Sequence, residues 1–459
     1  MNRLLHSRQA LARVSAIWVL FLSSAVCRAE DLGVRILKES RFENWQTVLR
    51  LSRQFAMRKP SDLPTVAAIL DSCVSLGCQI SDRDFRRGEL VGPQLRKFID
   101  AWIEYIGQNP RAGSDRFLSL ADDPDFGWMG VYGGLSSAIE TQNAVLLRSA
   151  LERSEPYTSR LEPLREKAAE ARLALAALAH DYERVATLLG SEGKWMSQGF
   201  RLSGHLTYLI WKDDLEKAKN TLGQYIHTIG LDHHAAKAEI ELRSLLEPPQ
   251  QLLSLIDSHL KKHPNYWLLR IARAQMVAEI GGSGAVGASL ASMKSIPRGL
   301  AYPRLLRIEF LTREIESHNE LIQNFSELSS KYEDYPLFHV AAANAFIRAG
   351  KHDAAIEQLD IADRQTPLYV PATVVRAILA TKLGRFREAV ELNKRIVTAA
   401  PNDVFAKLSL AQALVLAEDF GSAKLLLSEL RLSRRYVPKE AIESLERDIA
   451  EAVSAERPR

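Results

Sequence analysis

The chain has 459 residues, room for several folding units, with 46% hydrophobic residues, 25% charged residues and a formal net charge of +4. That excess lies at the start: residues 1 to 29 hold four arginines and no acidic residue, and residues 30 to 459 set 56 basic against 56 acidic side chains. A neutral chain lacks the concentrated basic face that phosphate binding needs, which argues against nucleic acid as the main partner.

Residues 1–29 read as an export signal. Arg3, Arg8 and Arg13 give a positive start, Val14 to Val26 is an apolar run, and Cys27-Arg28-Ala29 offers a small-x-small cleavage site before Glu30. The run is short for a membrane span. Cleavage and a periplasmic location are therefore expected; the alternative is an uncleaved anchor holding the protein to the inner membrane, facing the periplasm. Beyond the signal the cysteines are Cys73 and Cys78, with Gly77 allowing a turn between them. They can close a small disulfide in an oxidising compartment or stay as two buried thiols. A metal site would need more ligands, so neither metal nor cofactor is expected.

Residues 30–153 read as helical but irregular. Gly107, Pro110 and Gly113 punctuate the region, and Asp122 to Gly134 looks loop-like. Its Met129-Gly-Val-Tyr-Gly-Gly134 segment lacks the Lys-Ser/Thr ending of a phosphate loop and reads as a plain turn. From about Ser154 to residue 335 a degenerate helix-turn-helix rhythm sets in. Helices are expected over Leu164–His180, Tyr182–Leu189, Leu202–Trp211, Leu215–Ile226, Ala235–Leu246, Leu252–Leu260 and Trp267–Ile280. Further ones are expected over Val286–Met293, Leu305–Arg313 and Leu321–Ser330.

Residues 336–437 are regular. In steps of 34, Ala343, Ala377 and Ala411 share one phase and Ala355, Ala389 and Ala423 another. Gly350 and Gly384 match, with Glu418 in the third place; Pro367 and Pro401 match, with Arg435 in the third place. Small residues belong where paired helices approach closely, and glycine belongs where the first helix must stop. Lys439 to Ala455, after Pro438, reads as a helix that caps the array with a polar outer face; it belongs to a C-terminal segment, 438–459.

These repeats resemble the tetratricopeptide family, which implies an all-α superhelix of helix-turn-helix units. It also implies a concave groove lined by the first helix of each unit. By phase, the inward positions are Val340, Asn344 and Arg348, then Val374, Ile378 and Lys382, then Leu408, Gln412 and Val415. A peptide or partner helix would bind there. The set departs from the family's carboxylate clamp of lysines and asparagines, so a chaperone-tail receptor is not expected.

Two segments suggest chemistry. Asp232-His233-His234 looks like a ligand set, but adjacent histidines on a helix diverge; Asp232 is expected to cap a helix and leave both histidines solvated. Lys38-Glu39-Ser40-Arg41-Phe42 is similar to the Glu-Ser-x-Phe segment of soluble lytic transglycosylases, which would make Glu39 a general acid. The match ends there, without the family's following Gly-Leu-Met-Gln stretch. The expected function is a non-catalytic protein-binding scaffold of the bacterial cell envelope, serving a machine such as a polysaccharide-secretion, pilus or motility apparatus. A peptidoglycan-acting enzyme and a membrane-tethered adaptor are the alternatives.

Overall fold

A computed structural model describes residues 32–55, 57, 59–76, 93–107, 109–280, 320, 322–323 and 325–455. The expected signal, Cys78 and the helices expected over Val286–Met293 and Leu305–Arg313 lie outside the described residues. Every regular element among the described residues is a helix, and none is long and apolar enough to cross a membrane.

An entry segment comprises α1 (residues 32–41), α2 (Trp45–Ser52) and α3 (Leu63–Leu76). Helices then pair: α4 (Pro93–Gly107) with α5 (Pro110–Ala121), α6 (Gly127–Thr141) with α7 (Ala144–Thr158), and α8 (Glu162–Leu178) with α9 (Tyr182–Ser191). The series continues with α10 (Gln198–Trp211) and α11 (Leu215–Ile229), α12 (His233–Ser244) and α13 (Pro249–Lys262), and α14 (Trp267–Ile280). A second arm holds α15 (Phe325–Tyr332), α16 (Pro336–Arg348) with α17 (His352–Gln365), and α18 (Val370–Lys382) with α19 (Phe386–Ala399). It ends with α20 (Val404–Leu416), α21 (Phe420–Arg431) and the closing helix α22 (Lys439–Ala455).

The clear repeats follow their sequence. Ala343, Ala355, Ala389, Ala411 and Ala423 are fully buried and Ala377 nearly so, because no larger side chain fits between the paired helices. Gly350 and Gly384 take φ of 73° and 71° just past the ends of α16 and α18. Glu418 takes φ 63° in the same place without glycine's freedom, a local strain of roughly 1 kcal/mol. In α22, Ile442, Leu445 and Ile449 face inward and Glu440 and Glu443 outward, as a capping helix requires.

The rhythm reaches further back than the sequence suggests. First helices of pairs start at residues 93, 127, 162, 198, 233 and 267, so the step of 34 to 36 residues begins at α4, not near Ser154. The segment read as loop-like, Asp122 to Gly134, is mostly α6, whose Trp128, Met129, Val131 and Tyr132 are core residues. Its glycines serve helix contact rather than turning. A Cβ on Gly130 would lie 2.3 Å from the Ala121 amide nitrogen, and one on Gly133 would strike the Phe117 ring. Phe98, Trp102, Tyr105 and Phe117 complete this aromatic core, and the Trp102 indole donates to Asp71 at 2.8 Å. Cys73 is buried beside it and disulfide-bonded.

The second arm lies along the first, and its inter-repeat loops fit between the first arm's turns. Thr366 Oγ1 accepts from the Ala144 amide and donates to the Gln142 carbonyl, and Tyr369 OH is 3.1 Å from Gln142 Oε1. One repeat on, Asn402 Nδ2 donates to the Trp211 carbonyl at 2.8 Å. At the next, Arg435 reaches Asp213 Oδ1 through Nε and Nη2 and the Ile210 carbonyl through Nη2, while the Tyr436 amide donates to the Leu245 carbonyl. The arginine in the proline position of the third repeat thus ties its loop to the other arm through its side chain.

Candidate peptide-binding cleft

Where the arms meet, they leave a cleft of about 510 Å³. One wall is made by the C-terminal ends of α10, α12 and α14, the other by the loop before α20 and by Arg435-Tyr436. Its apolar lining includes Tyr182, Trp211, Leu252, Met276, Phe405 and Tyr436. Tyr182 and Trp211 stack with ring centroids 5.1 Å apart, which fixes both rings without a partner present. Phe405 is 57% exposed at the start of α20, where Asp403 caps the helix by accepting from the Phe405 and Ala406 amides. Carboxylates of Glu241, Glu247, Glu279 and Asp403 line the cleft; the guanidinium that lines it, Arg435, is bound to Asp213.

The residues expected to form a groove line a different surface. Arg348, Ile378, Lys382 and Gln412 are exposed on the first helices of the second arm and line neither this cleft nor the one beside it. Asn344 is half-buried and its Nδ2 donates to the Val340 carbonyl. Val340 and Leu408 are buried in the repeat core instead of facing a groove, because their phase points them at the neighbouring helix. The adjoining cleft lies between the α8–α9 turn and α17 to α19, and there Arg376 is tied by Asp360 and Asp363.

The two segments that suggested chemistry meet in a structural contact. Residues 41 to 44 run across the N-terminal ends of α10, α12 and α14. Arg41 Nη1 donates to Gln198 Oε1, the Arg41 carbonyl lies 2.5 Å from His233 Nδ1, and the Trp267 amide donates to Glu43 Oε2 at 3.2 Å. Asp232 caps α12 by accepting from the Ala235 amide, as expected. The histidines, however, are not solvated: both are half-buried, His233 under the entry segment and His234 against Gly199 of α10, and burial lowers both pKa values. Glu39 accepts from Asn44 Nδ2 at 2.8 Å and closes a local turn, not an apolar catalytic cleft. Glu43 is buried, and that desolvation lifts its carboxyl to about 8 against the pull of the Trp267 amide and Arg270. Further in, Glu170 accepts from Ser197 Oγ at 2.5 Å and from Lys167 Nζ at 2.8 Å. Burial opposes charge on Lys167, but Glu170 beside it holds the ammonium protonated. No cluster of metal-ligating side chains occurs among the described residues.

Sequence reasoning missed Tyr182, Trp211, Phe405 and Tyr436, since the stacked Tyr182–Trp211 pair of the first arm meets Phe405 and Tyr436 of the second only through the docking of the arms. One signal was present: Arg435, the departure from the repeat, marks one of the docked loops.

No protein-family model matches the chain, and no curated protein matches it. Among solved structures it is similar to the crystal structure of yeast Tom70, with TM-score 0.34 and 15% identity over 96% of this chain and 92% of that one. It is also similar to the human IFIT1 dimer with m7Gppp-AAAA, with TM-score 0.34 and 11% identity over 82% of this chain and 95% of that one.

Proposed function

We propose that the protein is a non-catalytic scaffold that holds a polypeptide segment in the cleft between its two arms. The observation that carries this reading is the cleft itself: a preformed, aromatic-lined concavity with a few polar groups at its edge, the usual form of a recognition site. Exposed Phe405 beside the fixed Tyr182–Trp211 pair is the kind of aromatic anchor on which peptide affinity concentrates. With the export signal read from residues 1–29, its place is the periplasm of a bacterial-type envelope, and its partners are components of an envelope assembly machine. The Cys73–Cys78 bridge belongs to the same proposal, since it needs an oxidising compartment.

A photo-crosslinking side chain at position 405 tests the reading in cells, with position 425, an exposed leucine on α21, as control. Adducts to polypeptide from 405 and not from 425 are expected. Equal adducts from both, or none from 405, would overturn it. The enzyme alternative expects a muramidase activity that Glu39→Gln abolishes; the scaffold reading expects that substitution to change nothing.

A further inference from the structure

We infer that the inter-arm cleft, if it holds a polypeptide as proposed, selects a segment in which a lysine or arginine adjoins an apolar side chain. Three features converge. Glu241, Glu247, Glu279 and Asp403 line the cleft, and the cation among them is already held by Asp213. Glu241 pairs with Lys237 on its own helix and Glu247, in the turn after α12, with Arg243; both cations lie outside the lining, and the exposed, 3.4 Å Glu241 pair yields readily to a closer cation. The C-terminal ends of α10 and α12 point into the site, and a helix C-terminus carries partial negative charge from its unpaired carbonyls.

The chain also supplies an internal example. Arg435 enters from one arm and its guanidinium donates to the Ile210 carbonyl at the end of α10, while the backbone amide of Tyr436 donates to the Leu245 carbonyl just past α12. A cationic side chain is therefore already accepted at the end of α10, and its aromatic neighbour Tyr436 lines the cleft. A partner repeating that pair would place its cation among the carboxylates and its apolar group against Phe405. An acidic segment or a nucleic-acid backbone would be repelled by the same groups.

Fluorescence anisotropy with two labelled peptides tests this on the full chain without its signal. One peptide carries lysines and arginines around a central Trp-Leu pair, and in the other glutamates replace every basic residue. The basic peptide is expected to bind and to weaken with added salt, and Glu241→Lys with Glu279→Lys, both exposed positions, should lower its affinity roughly tenfold. Phe405→Ala should lower it as well. Equal binding of the two peptides, or indifference to the charge reversals with Phe405→Ala still effective, would overturn the cationic preference and leave the cleft as the binding place. Binding of neither peptide, or indifference to Phe405→Ala, would overturn both.

Discussion

Glu43 shows how much one side chain holds in place. It sits at φ 51°, buried, with its carboxylate oxygen on the first amide of α14 and its carbonyl facing Asn265. Burial raises the carboxyl from 4.5 to about 8, so the fold favours the protonated form. The stabilisation is fully present below about pH 4.5 and is lost as pH climbs through 8, because only the unfolded chain ionises freely in that window. Glu43→Gln keeps the acceptor and cannot ionise. Chemical denaturation from about pH 5 to about pH 9 should show the native chain losing stability relative to the variant, by on the order of 2–4 kcal/mol. Parallel curves would mean that Glu43 stays ionised beside Arg270.

At the scale of elements, the small residues decide the packing. Ala389, fully buried between α19 and its neighbours, has no space for a ring, so Ala389→Trp should cost about 3 kcal/mol, read as a lowered melting temperature. An unchanged melting curve would mean that the repeat phase is misassigned. This phase was legible in the sequence, as were the extents of α14 and α22, since alanine, glycine and proline recur where a helical pair needs them. The N-terminal pairs were not legible, although they keep nearly the same step. There the close contacts are made by Gly130 and Gly133 within α6 and by Gly113 within α5 against the Tyr105 backbone. Glycines inside helices look like turns when their partner helix is unknown. His233 of α12 misled for a related reason, because what covers it is a segment about 190 residues earlier in the chain.

At the scale of the whole molecule, the arms are held side by side by the packing of α15 on α5, by Leu178 against the second arm's core and by loop contacts, of which Arg435 is the most buried charge. Arg435→Ala removes its bonds to Asp213 and to the Ile210 carbonyl and takes away part of the cleft wall. The repeats should stay folded, since their cores are separate. Small-angle scattering should show a larger radius of gyration, and the basic peptide should bind more weakly. An unchanged radius together with unchanged affinity would show that the remaining loop contacts suffice. The cleft itself was illegible in the sequence, because its walls come from stretches about 190 residues apart that only this docking brings together.

Two racks cut to nearly the same pitch can mesh in more than one alignment. Because the two arms advance by almost equal steps, sliding one past the other by a single unit would bring helices of similar girth back into apposition. Shape alone would discriminate poorly between the alignments. Replacing proline by Arg435 in the third repeat removes that ambiguity: a slip of one unit would strand a buried guanidinium away from Asp213 and leave Pro401 or Asn402 in its seat. The imperfection in the repeat thus serves as the keyed tooth that sets how the molecule closes on itself.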